Sequence, residues 1–197
     1  MNEVEGEVAV RIARKAVDAE ARGDTSGAVH APSDFREKRG AFVTLSTYPA
    51  HELRGCIGFP EPVYPLTQAL LEAASSACHD PRFPPLDAKE LDGIVVEVSV
   101  LTPPVEMMVE KRSELPKMIV IGRDGLIMEK GFRRGLLLPQ VPVEWGWGPE
   151  EFLEQTCHKS GLTSDCWLDP KVKIFSFSAE VFAEESPRGQ VVRKRLV

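Results

Sequence analysis

The run Leu53-Arg54-Gly55-Cys56-Ile57-Gly58 concentrates more reactive chemistry than any other stretch of the chain. A thiol attacks or ligates only as thiolate, and a neighbouring guanidinium favours that form. Glycines at 55 and 58 remove side-chain bulk, so a ligand or another chain segment can come close to the backbone. Strand alternation places Arg54 and Cys56 on one face. The plainer reading is a thiol packed as a small hydrophobe, with Arg54 turned to the other side. A nucleophilic cysteine also needs a base close in space, and His51, His79 and His158 are the candidates. His79 and His158 fall at helix ends, where an imidazole more simply serves the helix dipole.

Asp80-Pro81-Arg82-Phe83-Pro84-Pro85 forms a second loaded segment, rigid and carrying both signs of charge. Arg82 can join Arg54 as a guanidinium fork for a carboxylate or phosphate. The competing reading ties the loop by its own Asp–Arg contact and packs Phe83 into the core. The candidate set is therefore Cys56 as a catalytic thiol, with Arg54, Gly55, Gly58, Asp80 and Arg82 as ligand-binding residues. Cys78-His79 and Cys157-His158 are adjacent pairs without the two-to-four-residue spacing of structural zinc ligands, so no metal is expected. Trp145-Gly146-Trp147-Gly148 reads as a pair of core plugs, and Glu97 as a solvent-facing residue of a half-exposed sheet. Gly-rich phosphate loops, nucleophile elbows and dinucleotide fingerprints are missing, so no cofactor is expected.

The elements that must hold these residues follow from periodicity. Val4, Val8, Ile12, Ala16 and Ala19 recur at helical spacing over 3–22, and Gly23 supplies a stop. Residues 24–40 read as loop with one turn after Ser33. Ala41–Thr47 reads as a strand, and Leu53–Gly58 as a strand edge. Pro65 opens a helix running to about His79, which Asp80-Pro81 ends. Gly93–Leu101 is the strongest strand. Met118–Ile121 and Leu126–Glu129 flank Gly122-Arg123-Asp124-Gly125, a hairpin signature. Gly135–Leu138 is a short strand, Pro149 opens another helix that Gly161 closes, and Val172–Phe182 is the last strand. This order favours an α+β fold with a mainly antiparallel sheet and flanking helices.

Composition bounds the remaining classes. The chain has 197 residues, with 43% hydrophobic and 27% charged, which suits a globular fold of one domain or two intimate lobes. No apolar run reaches the ~18–20 residues of a membrane span. Net charge is −6, and the segment from Pro187 onward holds Arg188, Arg193, Lys194 and Arg195 with no acid. The body before it is still more acidic, which argues against binding of a phosphate backbone. The basic segment reads as a frayed terminus. The acidic N-terminus lacks a basic-then-apolar leader, so a cytoplasmic location is expected. There, Cys56, Cys78, Cys157 and Cys166 are all expected to be thiols.

The hexapeptide Leu53–Gly58 resembles the signature of the AMMECR domain family, and the likeness extends well beyond it. Gly40–Leu45, Asp80–Leu86, Val98–Thr102, Gly122–Leu126, Leu137–Val141, Phe152-Leu153 and Lys159–Leu162 fall in the family's order. Coverage runs over about residues 5–185, leaving 186–197 as a basic, flexible tail outside the pattern. The resemblance implies an α+β fold with a larger lobe holding both termini, a smaller lobe and a cleft near the hexapeptide. It also implies a pathway link to Memo-type and radical-SAM proteins. It carries over no established catalytic residue, and its pattern does not demand the three histidines. The expectation is a binding or scaffold module for a small anionic ligand or a protein partner. The alternative is a cysteine-dependent modifying enzyme with Cys56 as nucleophile.

Overall fold

The computed structural model describes residues 1–25, 27 and 30–194, and divides into two units. Among the described residues, the first contains Met1–Leu101 and residues 180–194; the second is Thr102–Ala179. Ser26, Ala28 and Val29, within the loop expected over 24–40, lie outside the described residues, as does Arg195.

The first unit begins with α1 (Glu3–Arg22), whose Asn2 side chain accepts from the Glu5 amide while Glu5 reaches back to the Asn2 amide. Strands β1 (Ala41–Thr47) and β2 (Leu53–Phe59) precede helix α2 (Leu66–Ala77), and β3 (Ile94–Leu101) follows. β1 is antiparallel to both β2 and β3, so β2 is the edge strand. Alternation along β1 sends Ala41, Val43 and Leu45 into the core. That core is completed by Ala9, Val10, Ala13 and Val17 of α1 and by Leu70, Ala73 and Ala77 of α2.

The second unit opens with β4 (Val105–Glu106) and the single-turn α3 (Leu115–Met118). Next come β5 (Asp124–Lys130), β6 (Arg133–Leu137), α4 (Gln140–Trp145) and α5 (Pro149–Lys159). The long strand β7 (Lys173–Glu184) pairs antiparallel with β5 and β4 through its first half. Its last residues belong to the first unit, where they pair with β8 (Val191–Lys194). Phe152, Leu153 and Cys157 of α5 pack with Leu126, Met128, Trp167 and Ile174.

Four expectations change. The hairpin turn lies at Gly131-Phe132 rather than at 122–125, because Lys130 pairs with Arg133 and Gly131 takes the positive φ of 61° that the turn needs. Asp124 is instead the first residue of β5, and its carboxylate accepts from the Val120 amide and the Arg123 guanidinium. Cys157 and Cys166 are joined in a disulfide rather than free; α5 and the turn Cys166–Leu168 bring their Cα atoms to 5.9 Å within the core. Part of the basic C-terminal segment is strand, and Arg193 and Arg188 are paired with Glu3 and with Asp18 and Asp92. Trp147 is half-buried as a core plug, but Trp145 stacks on it with 69% of its surface exposed.

No helix of the described residues is long and apolar enough to cross a membrane.

Candidate functional site

The hexapeptide is the edge strand β2, and its glycines are there because other backbone is too close for a side chain. A Cβ on Gly55 would stand 2.3 Å from the Ala77 carbonyl oxygen at the end of α2. A Cβ on Gly58 would meet the Ala41 carbonyl and the Phe42 ring, each at 2.4 Å. Gly55 therefore lets α2 seat against β2, and the Phe42 ring lies across Gly58 on the opposite face. Gly55→Ala should cost about 1–3 kcal/mol, since the backbone atom it strikes cannot step aside as a flexible side chain would. Urea denaturation checks this.

The segment after α2 folds back over the edge of β2. Asp80, with its side chain 1% exposed, is the centre of this arrangement. One carboxylate oxygen accepts from the Arg82 amide and Nε, both at 3.0 Å. The other accepts from Arg82 Nη2 at 2.7 Å and from the Cys56 amide at 2.8 Å. These donors hold the Asp80 carboxyl far below the usual carboxylate range, the Arg82 guanidinium contributing most. A backbone amide on a sheet edge would otherwise face away from any strand; here a carboxylate caps it.

Arg82 also reaches the Cys56 carbonyl at 3.5 Å and stands 5.7 Å from the Phe83 ring. Its side chain is nonetheless 56% exposed. Arg54 behaves differently. The register shifts between Leu45 and Ser46, which face Gly55 and Leu53, so Arg54 is the extra residue of a β-bulge. The bulge takes it out of alternation with Cys56. Its guanidinium forms a two-pronged pair with Glu90 at 2.8 and 2.9 Å and touches the Pro85 carbonyl. The sequence expectation of a fork made by Arg54 and Arg82 meets a structure in which Arg54 is committed to Glu90 and only 12% exposed.

Cys56 is half-buried, and the Thr44 hydroxyl donates to its sulfur at 3.2 Å. Burial pushes the thiol pKa up, against the smaller opposing effects of Thr44 and of the Arg82 charge. Cys78, 1% exposed, is pushed up to about 12 by burial. None of the three histidines supplies the missing base: His79 bonds Glu20 at 2.8 Å, His158 is exposed on α5 in the other unit, and His51 is exposed in the turn after β1. Among the described residues no group of three His, Cys, Asp or Glu side chains is arranged to hold a metal ion.

The sequence reading missed two residues here. Thr44 sits opposite Cys56 on one side and opposite Glu97 of β3 on the other. Glu97 thus shares the face of Cys56, and burial raises its carboxyl pKa while Lys194 opposes the rise. Alternation read along β1 and β3 together, rather than along β3 alone, carries the signal for both.

An antiparallel α+β protein with an Arg-Gly-Cys edge strand, clamped by an Asp-Pro-Arg loop, is the class that fold and site define. The chain belongs to the AMMECR1 family, whose profile matches residues 10–182. It is 54% identical over 200 residues to protein PH0010 of Pyrococcus horikoshii, covering 98% of this chain and 96% of the relative. Protein MJ0810 of Methanocaldococcus jannaschii is 55% identical over 194 residues, with the same coverage. The crystal structure of uncharacterized protein PH0010 superposes with a TM-score of 0.84 at 50% identity, covering 99% of this chain and 98% of that one.

Proposed function

We propose that the surface centred on Leu53–Gly58 binds a small anionic ligand, or an acidic group of a protein partner, without turning it over. One observation carries this reading. Asp80 engages Arg82 through Nε and Nη2 only, fixing the guanidinium beside Cys56 while its outer side stays open. A guanidinium held in one orientation by a buried carboxylate has already lost its rotamer freedom, so an arriving anion meets a preorganised donor. The state of the thiol supports binding over catalysis. Its pKa lies above the ordinary range and no imidazole contacts it. A link to Memo-type and radical-SAM proteins rests on the family resemblance alone.

A cysteine-dependent modifying enzyme is the second reading, favoured by the partial exposure of Cys56 and the positive charge of Arg82 beside it. Iodoacetamide labelling across pH, read by mass spectrometry, separates the two. The expected result is slow labelling of Cys56 with an apparent pKa above ~8.5 and no labelling of native Cys78. Phosphate or citrate should slow the labelling of Cys56, and Arg82→Ala should remove that protection. An apparent pKa below ~7 for Cys56, with no protection by anions, overturns the binding reading in favour of the enzyme.

A further inference from the structure

Cys56, Thr44 and Glu97 form one row across β2, β1 and β3. The neighbours of Thr44 on β1, Val43 and Leu45, are fully buried under α1 and α2, so the row lies on the face that those helices leave open. Beside it runs a second row, Gly58, Phe42 and Ser99, in which the Phe42 ring covers Gly58. This gives the polar row an apolar flank.

The two ends of the polar row carry opposite charges. At the β2 end stands Arg82, tied to the Cys56 carbonyl and to Asp80, with Nη1 uncommitted. At the β3 end stands Glu97, half-buried and, among the described residues, without a hydrogen bond or ion pair, the Lys194 ammonium acting on it only from farther off. A carboxylate that has lost part of its water and gained no protein donor is costly, and it calls for a donor from outside. Between the ends lie a hydroxyl and a thiol, which are short and leave room.

We propose that this row takes a short zwitterion of about dipeptide length, its ammonium on Glu97 and its carboxylate on Arg82, lying over Thr44 and Cys56 along the Phe42 ring. The inference rests on the anion-site reading and gives its ligand a second, positive end. The spans agree. Two inter-strand spacings of ~4.8 Å separate Cys56 from Glu97, or roughly 10 Å. Two charge-assisted contacts of ~2.8 Å occupy rather more than half of that. Arg82 Nη2 stands 3.5 Å from the Cys56 carbonyl, beyond the row's end, and this supplies the further ~3 Å that two residues and two contacts need. Two extended residues reach roughly 7 Å, so a dipeptide bridges the ends where a single α-amino acid falls short. A lone anion would leave Glu97 with no donor in contact, only the more distant Lys194 charge, and would meet the repulsion of the carboxylate.

The test uses alanyl-alanine, its N-acetyl derivative and its C-terminal amide, with the full chain. Binding is followed by calorimetry and by protection of Cys56 from iodoacetamide. Alanyl-alanine should protect Cys56, and both blocked forms should bind at least tenfold more weakly. Glu97→Gln, nearly identical in shape, should abolish the preference for the free amine while leaving the melting temperature close to that of the parent. Equal binding of free and N-acetylated dipeptide, lost in Arg82→Ala, overturns the zwitterion and leaves the anion site standing. Failure of all three peptides and of phosphate to protect Cys56 overturns both.

Discussion

Glu184→Ala is expected to lower the unfolding free energy by about 3–5 kcal/mol, because it strands a buried guanidinium. Glu184 is 1% exposed and Arg14, on α1, is 5% exposed. Arg14 donates through Nε and Nη2 to both oxygens of Glu184 and spends its remaining donors on the Leu91 and Ile94 carbonyls. Glu184 also accepts from the Val96 amide at 3.1 Å. Truncating it therefore leaves a buried guanidinium with two carbonyls and only Asp18, at 3.9 Å, as counter-charge, and a buried strand amide without its acceptor. The double variant Arg14→Leu/Glu184→Leu should recover a good part of the loss, since removing both charges leaves neither uncompensated. Denaturant titrations of the two single variants and the double close the cycle. Additive single losses in the double variant would show that the two side chains act independently.

Asp80→Ala ranks second, at about 1–4 kcal/mol. Its effect has two parts of different size. The orphaned Cys56 amide accounts for about 1–3 kcal/mol. The Arg82 contacts add less, at most about 1 kcal/mol, because Arg82 is largely in water. The acid dependence has a definite sign. A carboxyl whose folded pKa is depressed contributes stability above its unfolded value near ~3.9 and loses it as pH falls toward the folded one. The gap in stability between the parent and Asp80→Asn should hold at pH 5–8 and close progressively below about pH 4. A gap unchanged at pH 2 would mean that Asp80 contributes through shape rather than charge. Cys56 labelling should also accelerate in Asp80→Ala, because the loop that fixes β2 is released.

Much of the frame was legible because it follows period. α1, β1, α2 and β3 lie within a residue or two of the spans their apolar spacing defines. The hairpin misplacement shows where local signals compete. Gly122-Arg123-Asp124-Gly125 has turn-forming composition, yet Asp124 closes a turn at the start of β5 and the positive-φ glycine that joins the strands is Gly131. At the site, the clustering of Cys56, Gly55, Gly58, Asp80 and Arg82 was readable from the two motifs. The commitment of Arg54 to Glu90 was not, because a one-residue bulge reverses alternation and no residue type announces it. Glu97 was hidden for a related reason. A Val-Glu-Val pattern says which side the glutamate takes, but only pairing with β1 says that Cys56 shares that side.

The position of Glu184 in the chain also bears on synthesis. Helix α1 is made before the strands it packs with, and a nascent fragment ending at Leu101 already holds Arg14, with Asp18 at 3.9 Å, and Leu91, Ile94 and Val96, but not the carboxylate that Arg14 and the Val96 amide share. The second unit, with its own core and disulfide, is translated in full before that carboxylate appears. The usual order, in which an earlier-made part finishes before a later one, does not hold for this pair: the charge buried on α1 is answered in full only once the end of β7 is made.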